Sequence, residues 1–248
     1  MARSTPEISS LILIRSVLFL ITFYLWSTLF ALSISPLFLA RRRTVVKALS
    51  VWAIGIRFLM RHVAGIRVEF RGLENLTRTG PALIAAKHQC MLETMGMWDQ
   101  FDDACYVMKK ELAVIPFFGW YALKGGMIVV DREAQAAALK KLLKDGKDRL
   151  ADNRQIIIYP EGTRQAPGAE PDYKPGVAAL YRELNLPCVP MATNSGVHWP
   201  AHGILRYPGT IVFEFLPAIP AGLKRGEFMR EIETRIETAS AALLKSGI

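Results

Sequence analysis

Residues 81–93 read PALIAAKHQCMLE, from Pro81 to Glu93, and the reading of this stretch decides the fold. Ala82 to Ala86 form a short apolar run of strand type, closed by Lys87 and His88, and a carboxylate follows five residues after the histidine. On a regular helix, residues five apart stand about 140° from each other around the axis, so their side chains do not meet. An imidazole that meets Glu93 must therefore precede the helix that carries the acid. The stretch reads as strand, turn and helix start, with His88 at the carboxyl end of the strand, where open α/β sheets place ligands. A carboxylate in that position fixes the ring's tautomer and favours its protonated form, which suits a general base acting on a hydroxyl. A polar strand end whose histidine only caps a helix is the plainer alternative.

Working outward, short β-like runs alternate with helical stretches from Gly65 onward. Strands are predicted at 66–70, 104–108, 127–130, 156–159, 188–192 and 211–215, and helices at 92–101, 134–150, 176–184 and 226–245. This alternation predicts an α/β fold over residues 65–248: a single domain with a mixed, largely parallel sheet flanked by helices. A chain of 248 residues accommodates one such domain and an appendage.

The appendage is residues 1–64, read as N-terminal membrane-associating helices. Ser16 to Ala40 holds no charged residue, and 25 helical residues extend about 37 Å, enough for a hydrocarbon core of about 30 Å. Arg41, Arg42 and Arg43 follow and assign that end to the cytoplasmic side. Pro36 leaves open whether the segment spans the bilayer or lies in one leaflet. Over 45–63, Arg43, Lys47, Ser50, Arg57 and Arg61 recur at helical spacing on one side, the pattern of a helix in a headgroup layer. A packed helix with a solvated basic stripe fits the same pattern.

The formal charge of +9 attracts anionic lipid, nucleic acid or an acidic carrier protein. The basic residues accompany a membrane-like segment, and no basic helix carries aromatics arranged for base stacking, which argues against nucleic acid. Cys90, Cys105 and Cys188 form no paired framework, and Cys90 reads as a small buried thiol. Serine-elbow, zinc-protease, P-loop and dinucleotide fingerprints are absent, and no metal site is expected.

The candidate chemistry lies at strand ends. YVMKKE, 106–111, delivers Lys109 and Lys110; GGMIVVDR, 125–132, ends in Asp131 and Arg132; IIIYPEGTR, 156–164, ends in Glu161, Gly162, Thr163 and Arg164. Cations delivered to neighbouring strand ends converge on a phosphate, with a glycine permitting close backbone approach and an arginine offering a bidentate fork. Arg132 paired with Asp131 is the structural alternative.

Taken together, KHQCMLE, GGMIVVDR, YPEGTR and LPCVPMA, in that order across 87–192, resemble the four blocks of the glycerolipid acyltransferases. The likeness is closest to the bacterial 1-acyl-glycerol-3-phosphate, or lysophosphatidic acid, acyltransferases. The acid of the first block is usually aspartate in that family and here is Glu93, one methylene longer. The resemblance implies that His88 is the general base, oriented by Glu93. It also implies that Lys109, Arg132 and Arg164 hold a glycerol phosphate in a pocket shaped by Glu161, Gly162 and Thr163. Backbone amides after His88 are the expected oxyanion stabiliser. No cofactor is implied; acyl-CoA or acyl-carrier protein is the co-substrate, and lysophosphatidic acid and anionic phospholipid are the lipid partners. The implied location is the inner, cytoplasmic membrane with the catalytic domain facing the cytoplasm. The apolar residues 115–123 suit helix packing or the lining of an acyl channel. Rivals are a sister enzyme using another lysolipid or glycerol-3-phosphate, and a silent protein that only binds anionic lipid.

Overall fold

Strand β2, Ala82–Ala86, is buried along its whole length at the centre of a seven-stranded sheet. The computed structural model describes residues 9–246; residues 1–8 and 247–248, the ends of the two segments predicted above, lie outside the described residues. The other strands are β1 (Ile66–Arg71), β3 (Ala104–Lys109), β4 (Ile128–Val130), β5 (Gln155–Ile158), β6 (Cys188–Thr193) and β7 (Gly209–Phe215), in the order β1-β7-β6-β2-β5-β3-β4. Neighbours are parallel except β6 and β7, which run antiparallel. The sheet is thus mixed and largely parallel, as the alternation predicts. All seven strand predictions fall on observed strands.

Burial on both faces explains the continuous apolar runs. Ile84, Ala86 and Ile157 enter the core on one face, and Leu83, Ala85, Ile156 and Ile158 enter the core on the other. Helices α5 (Gln135–Ala151), α6 (Gly176–Leu184) and α8 (Arg225–Lys245) cover the second face, and α7 (Ser195–His198) is a single turn after β6.

The first face is covered by the N-terminal helices, α1 (Ser10–Ser33) and α2 (Arg42–Leu59). Phe19, Phe23, Val45, Ile56 and Met60 share one core cluster with Ile84 and Phe213. Composition changes at residue 64; the core does not. The helix predicted to run to Ala40 ends at Ser33 because Pro36 opens a 3-10 turn, Ser35–Leu39, whose first residues a proline suits. α1 and α2 approach so closely that a Cβ on Gly55 would stand 2.4 Å from the Trp26 ring. The indoles lock the pair: Trp26 Nε1 donates to the Trp52 carbonyl at 3.3 Å and Trp52 Nε1 to Ser27 Oγ at 3.1 Å.

Two cations of the α2 stripe, Arg43 and Arg57, are engaged by the protein, as is neighbouring Arg42, while Lys47 and Arg61 stay exposed. Arg57 forms a two-pronged pair with Asp99 at 2.6 Å, while Arg42 and Arg43 reach Asp103 at 2.8 and 3.4 Å. Arg154, fully buried, reaches the same Asp103 at 3.2 Å. Asp103 and Arg154 stand just before β3 and β5, so these pairs bind α2 to the edge of the sheet opposite the carboxyl strand ends. The predicted helix 92–101 is instead one turn, α3 (Leu92–Met95), and a 3-10 turn, Trp98–Gln100. Gly96 ends the first, and burial of Met97, Trp98 and Phe101 against α2 bends the chain away from a regular helix. Helix α4 (Phe118–Lys124) lies within the apolar stretch 115–123, with Trp120 and Leu123 exposed.

Candidate active site

The carboxyl ends of β2, β5 and β6 are adjacent, which brings three of the four blocks together. β2 ends at Ala86, and the N–H of Lys87 still bonds the Met191 carbonyl of β6 at 2.9 Å. The chain then leaves the sheet and carries His88 onto a loop ahead of α3. Its Nδ1 lies 3.1 Å from Glu93 Oε2, and its ring stacks on Tyr159 with centroids 4.3 Å apart. The ring is 14% exposed, whereas Glu93 is wholly buried. A buried carboxylate requires partners. Glu93 accepts the Cys90 N–H at 2.9 Å, and the Ser195 hydroxyl donates to its other oxygen. With Nδ1 directed to the acid, Nε2 is left for a ligand.

A second buried acid holds the loop from behind. Glu161 accepts the His88 N–H at 2.8 Å through one oxygen and meets Lys87 Nζ at 2.7 Å through the other. Lys87 also meets Glu237 of α8 at 2.7 Å, and the Tyr173 hydroxyl donates to Glu237 at 2.9 Å. Burial pushes the Glu161 carboxyl up from its ordinary value, against the pull of Lys87. Glu161 therefore faces the base's backbone and a lysine, while Gly162 and exposed Thr163 turn outward beyond it.

Lys109 and Arg132 follow β3 and β4, whereas Arg164 turns toward the segment after β6. Gly162 has φ +69°, and a Cβ there would stand 3.4 Å from Arg132 Nη1, so the guanidinium from the end of β4 reaches the third block across β3. Asp131 pairs with Lys110 at 2.8 Å and not with Arg132. Arg164 donates Nη1 to the Ala201 carbonyl at 2.9 Å. Among the described residues, Lys109, Arg132 and Arg164 form no ion pair. Of the three, Arg132 is drawn on by the charge of Glu111 and reaches Gly162 of the third block, while Arg164 reaches Ala201.

One expectation changes in detail, and the reading of Cys90 as a buried thiol holds. The amides of Cys90 and Leu92 already bond Glu93 Oε2 and Cys90 Sγ, which withdraws them as oxyanion donors. Cys90 is buried, and desolvation beside Glu93 pushes its thiol well up, so it stays protonated and does not serve as a nucleophile. Ser195 and the Lys87–Glu161 pair were not foreseen as parts of the site. Both depend on contacts between residues far apart in the chain; only Ser195's position just past a predicted strand hints at them.

This fold, with the His88–Glu93 pair at the carboxyl end of β2, is that of a known enzyme class. A model of the acyltransferase family matches residues 67–194. A 1-acyl-sn-glycerol-3-phosphate acyltransferase of Pseudomonas aeruginosa is 38% identical over 230 residues, covering 90% of this chain and 88% of that protein. The human 1-acyl-sn-glycerol-3-phosphate acyltransferase beta is 27% identical, over 68% of this chain and 62% of that protein. The crystal structure of the 1-acyl-sn-glycerophosphate (LPA) acyltransferase PlsC from Thermotoga maritima superposes with a TM-score of 0.77 at 19% identity, over 93% of this chain and 96% of that one. At that identity the likeness speaks for the fold. The chain belongs to the acyltransferase family of glycerolipid O-acyltransferases, the family that includes the 1-acyl-sn-glycerol-3-phosphate acyltransferases.

Proposed function

We propose that the protein moves a fatty acyl group from a thioester to the 2-hydroxyl of 1-acyl-glycerol-3-phosphate, giving phosphatidic acid. The observation that carries this reading is the His88–Glu93 pair, 3.1 Å apart, in the same row of strand ends as Lys109, Arg132 and Arg164, which form no ion pair among the described residues. His88 Nε2 takes the hydroxyl proton as the oxygen attacks the thioester carbonyl, and Glu93 holds Nδ1–H and balances the imidazolium. Collapse of the tetrahedral intermediate breaks the carbon–sulfur bond, and the imidazolium returns the proton to the departing thiolate. Arg164, Arg132 and Lys109 hold the acceptor phosphate, Gly162 and Thr163 line the approach, and Glu161 keeps the His88 loop in place. The donor is acyl-CoA or acyl-carrier protein.

The test is a panel of acceptors, each with both donors, on purified protein. Lysophosphatidate is expected to exceed glycerol-3-phosphate and neutral lysolipids; preference for another lysolipid would replace the acceptor assignment. Arg164→Ala is expected to raise KM for the acceptor about tenfold or more, the scale of a lost charged hydrogen bond, with KM for the donor little changed. Equal rises for both substrates would assign Arg164 a scaffold role.

The working surface is a membrane, on this reading the cytoplasmic face of the inner membrane. α1 is the one helix among the described residues long and apolar enough to cross a bilayer. Leu18, Ile21, Leu25, Leu29 and Leu32 are each about half exposed on the side away from the core, an arrangement suited to lipid. Leu18→Glu combined with Leu25→Glu is expected to lower partition into vesicles by more than tenfold, since each apolar side chain contributes about 1.5–3 kcal/mol on burial. The melting temperature should move little, because neither residue is in the core. Unchanged flotation with vesicles would exclude α1 as the anchor.

A further inference from the structure

α1 and the segment after β6 enclose a cavity of about 330 Å³. Leu20, Phe23 and Tyr24 of α1 form one wall, Trp199 and Ile204 another, and Met91 of the loop between His88 and Glu93 a third. The polar exception is Arg206. Its side chain is buried, with 5% of the residue exposed, and the guanidinium lies over the Trp199 ring at 4.4 Å. Nη1 donates to the carbonyls of Leu205 and Gly203 at 2.7 and 3.3 Å, and Nε has no hydrogen-bond partner. Among the described residues, no acid pairs with it.

That isolation separates Arg206 from Arg154, the other fully buried arginine, and from the partly buried Arg42 and Arg57. Arg42, Arg57 and Arg154 each meet an aspartate. Burial lowers the Arg206 pKa to about 10, so the group is charged at neutral pH, and a buried charge without a counter-charge is costly. Its backbone is also fixed: the Arg206 N–H donates to Ser16 Oγ at 2.8 Å, and that hydroxyl donates to the Ile12 carbonyl at 2.6 Å. The cation is therefore held against α1, the helix with the lipid-facing side.

A single cation in apolar walls selects an anion carried on an apolar chain. A hydrated carrier with several charges would leave most of them unpaired against Phe23 and Trp199. We propose that this cavity binds the phosphate of a bilayer amphiphile, with Arg206 as its counter-charge and the start of an acyl chain against Leu20, Phe23 and Trp199. The site is distinct from Lys109 and Arg132 at the ends of β3 and β4, and Arg164 of the third block reaches its rim. It adjoins the reaction centre through Met91, and through Ala201, whose carbonyl accepts from Arg164. The inference rests on the lipid-facing reading of α1 but not on which group is transferred. Two sources offer this chemistry: the lysophospholipid acceptor and a bystander phospholipid of the leaflet.

The experiment counts lipids bound to delipidated full-length protein by native mass spectrometry, using 1-oleoyl lysophosphatidate, dioctanoyl phosphatidylglycerol and uncharged monooleoylglycerol. An Arg164→Ala background removes binding at the acceptor site. The expected result is one phosphorylated lipid held at least tenfold more tightly than monooleoylglycerol, with Arg206→Gln bringing the two level. Retention of phosphatidylglycerol supports a bystander lipid, and retention of lysophosphatidate alone supports the acceptor. Equal phospholipid binding with and without Arg206, or monooleoylglycerol binding as tight as theirs, overturns the proposal. If Arg206→Gln does not fold, Leu20→Trp fills the cavity with the cation intact and should exclude the lipid; unchanged retention would again overturn it. Loss of the adduct on Arg164→Ala alone would also reject the cavity while leaving the acceptor reading in place.

Discussion

His88→Ala is expected to lower kcat for acyl transfer by roughly 10²–10⁴-fold, the range a positioned general base contributes, while the melting temperature and vesicle partition stay near those of the parent. The separation of effects follows from position. The ring is partly exposed, and its neighbours are held by other groups: Glu93 keeps the Cys90 amide and the Ser195 hydroxyl, and the loop keeps the bond from the His88 N–H to Glu161. Glu93→Gln should cost less in rate, because the ring stays while the charge that balances its protonated form is lost. Steady-state kinetics beside thermal unfolding on the same preparations separate the roles. Transfer by His88→Ala within tenfold of the parent would remove His88 as the base, whatever happened to KM.

How far the sequence revealed this arrangement depended on how local each signal was. β2, β5 and β6 were legible because buried parallel strands are continuous apolar runs, and β2 and β5 each lead into the charged residues of a block. The His88–Glu93 meeting was legible for the same reason: five residues of chain allow it only in the strand–turn–helix geometry. The basic stripe of α2 was harder to read. Arg57 and Arg43 carry the spacing of a headgroup-facing helix, yet their partners Asp99 and Asp103 lie 42 or more residues away, and no local pattern announces them. Glu161 shows the same limit. Its place in YPEGTR suggests a residue lining the anion pocket, while its carboxylate lies behind the loop against Lys87. Arg206 stands outside every block, and its isolation appears only once α1 is folded over it.

Lys87→Met is expected to be the most destabilising single change near the site, by about 3–5 kcal/mol, the cost of leaving a buried charge without its partner. Lys87 and Glu161 are 2% and 0% exposed, so water cannot replace the missing ammonium. At a few degrees per kcal/mol for a chain of this size, the melting temperature should fall by roughly 10 °C. The pair is not symmetrical, and the asymmetry is the sharper test. Removing Lys87 strands two carboxylates, Glu161 and Glu237, whereas Glu161→Gln leaves Lys87 its bond to Glu237 at 2.7 Å and leaves an amide oxygen to accept the His88 N–H. Glu161→Gln should therefore cost clearly less than Lys87→Met. The double variant Lys87→Met/Glu161→Gln should recover part of the loss, because the charge left uncompensated is then the partly exposed Glu237, not a sealed one. The same cycle reads out in kcat, since Glu161 bonds the backbone of the base itself: Lys87→Met should slow transfer in whatever fraction stays folded. Additive losses in the double variant would mean that the two charges stabilise the loop independently.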